Sequence, residues 1–224
     1  MIETDEIVGI IKNRGHWRVT IRPEKFSSER LPFERCREIL EKTQVGYRGY
    51  HFPELNRSEL SNGQDYVQGI LSAGIFHQFW RFYQSGNFYF LCSCYEDYHT
   101  KTGGMNILDI LAAVYTMTEI YEFASRLALQ NVFDDTINIS IKLGNMKSRK
   151  LAILEFGRRL HQTYQLQINE LERTEKCIAT SLYGRTRDLA IEHLMWFIKR
   201  FGWDAPHVPA LLKAHQDSII KEQM

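Results

Sequence analysis

The chain has 224 residues, 44% hydrophobic and 25% charged, which places it in the globular range with length enough to bury a core as one large domain or two small ones. Lysine and arginine total 28 against 27 aspartate and glutamate, so no global field draws the protein to polyanions, and a nucleic-acid contact needs a local basic patch. The opening, MIETDEIVGIIKNRG, is acidic and lacks a long apolar run, and no stretch approaches the roughly 20 apolar residues that span a bilayer, so the reading is a cytoplasmic protein without a secretory signal or membrane span.

In chain order, HWRVTIR (16–22) is short, rich in β-formers and ended by Pro23, which predicts a strand. LPFERCREILEKTQ (31–44) carries Phe33, Cys36, Ile39 and Leu40 at helical spacing behind Pro32, and VGYRGYHF (45–52) then reads extended up to Pro53, together a β-α-β opening. The polar ELNRSELSNGQ (54–64) reads as a loop or short helix. From Tyr66 to Tyr95, three strand-like runs separated by Ala-Gly and Ser-Gly predict an antiparallel meander.

The middle run, with its flanking turn, is the aromatic stretch HQFWRFYQSGNFYF (77–90). Alternation puts Phe76, Gln78, Trp80, Phe82 and Gln84 on one side and His77, Phe79, Arg81 and Tyr83 on the other, as in a central strand covered on both faces. Arg81 reads as a guanidinium laid on rings and reaching a carboxylate such as Glu96 or a carbonyl. The sharper alternative is a stacking platform in which Phe79, Tyr83 and Tyr89 meet bases, but SGNFYFLCSCY does not supply the basic-Gly-aromatic-Gly-aromatic order of RNA-binding sheets.

NILDILAAVYTMTEIYEFASRLALQN (106–131) is the strongest predicted helix, with Asn106 as N-cap and a Glu122–Arg126 pair. Glu119 and Glu122 have a spacing compatible with acid and base roles, although amphipathic edges ordinarily look the same. DTINISIKLGN (135–145) alternates as a half-buried strand. The stretch after it holds the best local basic cluster, Lys142, Lys147, Arg149, Lys150, Arg158 and Arg159, which reads either as a phosphate or acidic-partner site or as a solvated loop guarding an edge strand. YQLQINELE (164–172) reads as a further strand, and RTRDLAIEHLMWFIKRFG (185–202) and HVPALLKAHQDSIIKEQ (207–223) as two helices, with Gly202 as a stop and His193 structural.

Cys36, Cys92, Cys94 and Cys177 read as reduced and structural, and no histidine falls in a zincin pattern, so neither a metal nor a cofactor is expected. Signatures of P-loop, dinucleotide-binding, hydrolase-elbow and kinase sites are missing from the chain. TKTGGMN (100–106) sets two glycines before a helix, where amides could hold an anion, and its ordinary reading is a turn.

The succession HWRVTIRPEKF, GYRGYHFPEL, FWRFYQSGNFYF ending in YED, and TEIYEFASRLA before INISIKL resembles the companion region found beside Schlafen-like AlbA-type domains in bacterial proteins described as DNA-binding or ATP-binding regulators. The likeness spans about residues 16–145, with a weaker echo in FIKRFGWD. The Schlafen-like domain is not visible, so its chemistry does not carry over. The resemblance implies a bacterial intracellular accessory or sensing module, linked to regulation or defence.

The expectation is one α+β domain over residues 1–224, a mostly antiparallel sheet with a long packed helix and a C-terminal helical pair that could form a subdomain over 185–224. No catalytic set is legible. Function is read as a non-enzymatic binding or regulatory module, with a protein partner, whose ligand site draws on Trp17, Arg22, Arg48, Tyr50, Trp80, Arg81 and Tyr83, because arginines and aromatics recur on neighbouring predicted strands. The alternative is a nucleic-acid or nucleotide binder, or a nucleic-acid-processing protein, using the basic stretch.

Overall fold

The computed structural model describes residues 3–74, 76–98, 106–154 and 160–221. In chain order the elements are α1 (Thr4–Lys12), β1 (His16–Pro23), α2 (Phe33–Thr43), β2 (Glu59–Asn62), β3 (Tyr66–Ala73), β4 (Phe76–Tyr83), β5 (Phe88–Ser93), a single 3-10 turn at Tyr95–Asp97, β6 (Ile107–Asp109), α3 (Ile110–Leu129), β7 (Thr136–Gly144), β8 (Lys150–Ala152), β9 (Leu171–Ile178), α4 (Ala179–Leu182), α5 (Thr186–Arg200) and α6 (Val208–Lys221). Seven strands form an antiparallel sheet in the order β2-β3-β4-β5-β1-β7-β9, and β6 and β8 form a small parallel pair. The fold is α+β, as the pattern of strands and helices predicts.

The first strand ends up central. On β1, Trp17 lies opposite Cys92 and Leu143, Val19 opposite Phe90 and Ile141, and Ile21 opposite Phe88 and Ile139. Because side chains alternate along a strand, these rows make one continuous apolar face. On that face lies α3, buried around most of its circumference because α5 and α6 pack on its outer side. The opposite face is divided. Over β3 to β5 it is covered by α1, whose Ile7 and Ile11 meet Ile70, Phe79 and Leu91. Over β1, β7 and β9 it carries Arg18, Thr20, Ser140, Lys142, Glu172 and Thr174, half-buried or exposed.

Four local expectations change. Residues 45–52 add no strand to the sheet: Gly49, at φ +74°, turns the segment so that Val45 and Phe52 bond each other. Residues 59–62 form an edge strand, exposed throughout. The long helix begins at Ile110, capped by Asp109, whose carboxylate accepts from Leu111 N at 3.3 Å. Asn106 instead donates to the carbonyl of Lys147, and the apolar Ile107 and Leu108 are consumed by pairing with β8. Finally, the last strand is Leu171–Ile178 rather than 164–172, because only the later register sets Leu171 opposite Leu143 and Cys177 opposite Ile137. The α1 helix had no sequence expectation attached to it.

Gly69 shows how tightly the meander is fitted. It faces Trp80 across β3 and β4, and a Cβ there would sit 2.4 Å from the indole ring. The ring cannot swing aside freely, since its Nε1 donates to the Glu54 carbonyl at 3.1 Å. Gly69→Ala should therefore destabilise the protein by about 1–3 kcal/mol in urea denaturation, and unchanged stability would mean that the indole has another place to go.

Candidate functional site

One row across the sheet, formed by Trp17 on β1, Cys92 on β5 and Gln78 on β4, is the floor of a cavity of about 110 Å³. Its walls are Phe52 and the segment before it, Phe90, the first turns of α3 at Ala112, Ala113, Thr116 and Glu119, and the Cys94–Glu96 turn. That volume holds several waters or a small ring. Phe76 and Tyr50 meet edge to face at 5.0 Å, and both belong to the lining.

Two anchors hold the 45–57 segment over the sheet. The Glu54 carboxylate accepts the backbone N–H groups of His51, Asn56 and Arg57 at 3.1, 3.1 and 3.4 Å. Its main-chain carbonyl accepts from Gln78 Nε2 at 3.2 Å and from Trp80 Nε1 at 3.1 Å. The second anchor is Arg48. Its Nε donates to Glu119 Oε1 at 3.3 Å and its Nη2 to Thr116 Oγ1 at 3.2 Å, and Nη2 also pairs with Glu119 Oε2. The guanidinium lies over the rings of Tyr50, at 5.0 Å, and Tyr115, at 5.4 Å. Glu119 is fully buried, and burial raises its carboxyl above the ordinary value although Arg48 opposes the rise.

A second buried carboxyl, Glu96, accepts from the backbone N–H of Asp109 at 2.8 Å and is pushed up to about 7, chiefly by burial. Tyr95 donates its hydroxyl to Asp109 Oδ2 at 2.9 Å. Burial pushes Cys92 up to about 12 and raises Cys94 well above the ordinary thiol value, so both thiols are protonated at neutral pH and neither is an activated nucleophile.

The seven residues named from sequence do not meet in one place. Trp17, Arg48 and Tyr50 line the cavity. Trp80 lies on the same face, fully buried, bonded to Glu54 and outside the lining. Arg81 and Tyr83 are on the opposite face, where Arg81 bonds Gln68 Oε1 at 3.0 and 2.7 Å and lies 4.0 Å from the centre of the Tyr66 ring. It is therefore laid on rings and bonded to a carboxamide, not to Glu96. Arg22 is exposed near the far end of β1, opposite Asn138. The strand period explains the split: Trp80 and Arg81 are adjacent in sequence and so face opposite ways.

The basic stretch is likewise dispersed. Lys142 pairs with Glu170 at 2.5 Å, and Lys147 and Lys150 are exposed. Arg149 is buried, paired with Asp97 at 2.7 Å and donating to the Ile107 carbonyl at 2.5 Å. Arg158 and Arg159, and residues 100–105 of the glycine turn, lie outside the described residues. Of the two helix glutamates, Glu119 is committed to Arg48 and Glu122 to Arg126. His193 is structural: Tyr121 lies 2.7 Å from its Nδ1, Phe197 stacks on it, and burial drops it to about 3. Among the described residues no group of three or more His, Cys, Asp or Glu is placed to hold a metal, and no helix is long and apolar enough to cross a membrane.

Set against known protein families, curated proteins and solved structures, the chain matches none.

Two outcomes follow from the buried charges. Arg48→Ala leaves Glu119 without its partner and should cost about 3–5 kcal/mol, whereas the double variant Arg48→Met/Glu119→Leu should recover most of that loss in denaturant titrations. Glu96 titrates higher folded than unfolded, so the folded state holds the extra proton and stability falls as pH rises from about 4.5 to about 7. Glu96→Gln should therefore gain stability relative to the parent across that window, reaching about 3 kcal/mol above it, and a pH-independent difference would show that the carboxyl is not so displaced.

Proposed function

We propose that the chain is a non-enzymatic binding module that takes a small molecule into the cavity between the sheet and the start of α3. The observation that supports this most is Arg48: its Nε and Nη2 are committed, while Nη1 has no protein partner among the described residues, in a lining that also carries the aromatic rings of Trp17, Tyr50, Phe52 and Phe90 and the small side chains of Ala112 and Ala113. A preformed apolar recess with few polar groups is the usual form of a small-molecule site. Protonated thiols and a guanidinium already paired with a carboxylate favour binding over bond breaking. The resemblance to Schlafen-associated companion regions fits a bacterial regulatory or defence setting, in which a protein partner reads whether the cavity is filled.

The nucleic-acid alternative draws less support, because of its described cations Lys142 and Arg149 already have acidic partners. The test is native mass spectrometry of the purified protein together with thermal-shift screening of small aromatic compounds. A retained or screened ligand should stabilise by about 2.7 kcal/mol at a hundredfold excess over Kd. Ala112→Leu, which fills the space from a helix position, should fold and abolish the shift. Retention of RNA or DNA, with affinity falling steeply as salt rises, would transfer the function to the basic stretch.

A further inference from the structure

The polar groups of the cavity restrict what it holds, and the argument rests on the binding-module reading above. Its buried charges are already paired or hydrogen-bonded. Arg48 and Glu119 neutralise each other, and the Glu54 carboxylate is held by three backbone N–H groups. Glu96, raised toward neutrality by burial, adds at most a partial charge. The remaining lining cation, Arg57, is exposed. An ionised group carried inside would shed its hydration with no spare counter-charge to meet it, which is costly.

Apart from the exposed His51 ring and the two thiols, the described lining groups leave a donor, an acceptor and a hydroxyl. Arg48 Nη1 is a donor with no protein partner among the described residues. Gln78 must present its Nε2 to the Glu54 carbonyl, since only the amide nitrogen can donate there, and this fixes its Oε1 as an acceptor with no protein partner among the described residues. The Tyr50 hydroxyl likewise has none, and burial keeps it protonated. Around these lie the flat faces of Trp17, Phe52 and Phe90, with alanines at 112 and 113 leaving the opposite wall low.

We infer that the cavity takes a neutral, flat heteroaromatic ring bearing a hydrogen-bond acceptor beside a donor on its edge, the pattern of a pyrimidine or purine lactam. The acceptor meets Arg48 Nη1, the ring N–H meets Gln78 Oε1, and the ring body packs among the aromatic side chains. A substituent on the ring would leave toward Arg57.

Isothermal titration calorimetry tests this with uracil and hypoxanthine as probes, benzoate as an anionic control and toluene as an apolar one, on the parent and on Gln78→Leu. Gln78→Leu removes the acceptor yet leaves the Glu54 carbonyl its bond from Trp80, so the variant should fold. The expected result is binding of at least one lactam, weakened about tenfold or more by Gln78→Leu, with toluene binding unaffected. Tighter binding of benzoate or toluene than of either lactam would overturn the ligand class and leave the binding module standing. So would lactam binding that is indifferent to Gln78→Leu. If no probe binds and native mass spectrometry finds no retained small molecule, the inference and the reading beneath it both fall.

Discussion

The site depends on one buried ion pair. Glu119 sits on the long central helix with no exposure to water, and Arg48 comes to it from a segment that has no place in the sheet. A carboxylate in that position is stable only when met by a charged, hydrogen-bonding partner, so the helix in effect dictates where residues 45–52 must lie. Thr116, one turn back, takes a further guanidinium bond, and Tyr50 and Tyr115 offer ring faces to the cation. The cavity lies between that segment, the sheet and the start of α3.

Glu54 performs the complementary task from the other end of the segment. Its carboxylate gathers the amides of its own turn, and its carbonyl is bonded by two side chains rising from β4. The cavity is therefore framed by bonds from this segment to two elements distant in sequence, β4 and α3, and its shape belongs to the assembled fold rather than to any one loop. The Asp97–Arg149 pair plays a similar part at the far side: Asp97 also receives the Gly15 amide at 2.8 Å, tying the turn that follows β5 to the start of β1.

The layout of the sheet was legible where hydrophobic period is unambiguous. The meander, the first strand, the Ile137–Leu143 alternation and the helices after 185 all follow from apolar spacing, and so does the α+β class. Boundaries failed where a few apolar residues were claimed by a distant partner, as Ile107 and Leu108 were by β8. The site was legible only in part. Arg48, Tyr50 and Trp17 were found because arginine and aromatics stand out locally, but the same rule also swept in Arg81 and Tyr83, which the strand alternation sends to the other face. Glu119 was visible as a helix acid and its partner was not, since nothing in sequence links positions 71 residues apart. Arg149 misled for the converse reason: a basic run looks solvated until one of its members is seen to be buried against a carboxylate.

Ala112 and Ala113 raise the question of why the cavity persists at all. Unfilled space in a core costs stability in proportion to its volume, and larger apolar residues at two positions of a helix would close it at little conformational expense. Polar groups alter that balance. Arg48, Gln78 and Tyr50 each bring to the lining an atom with no partner among the described residues, so an apolar plug would desolvate those atoms without pairing them. A recess that is apolar in its walls and polar at a few fixed points is thus poorly served by packing alone, and better served by an occupant that carries its own hydrogen-bonding edge.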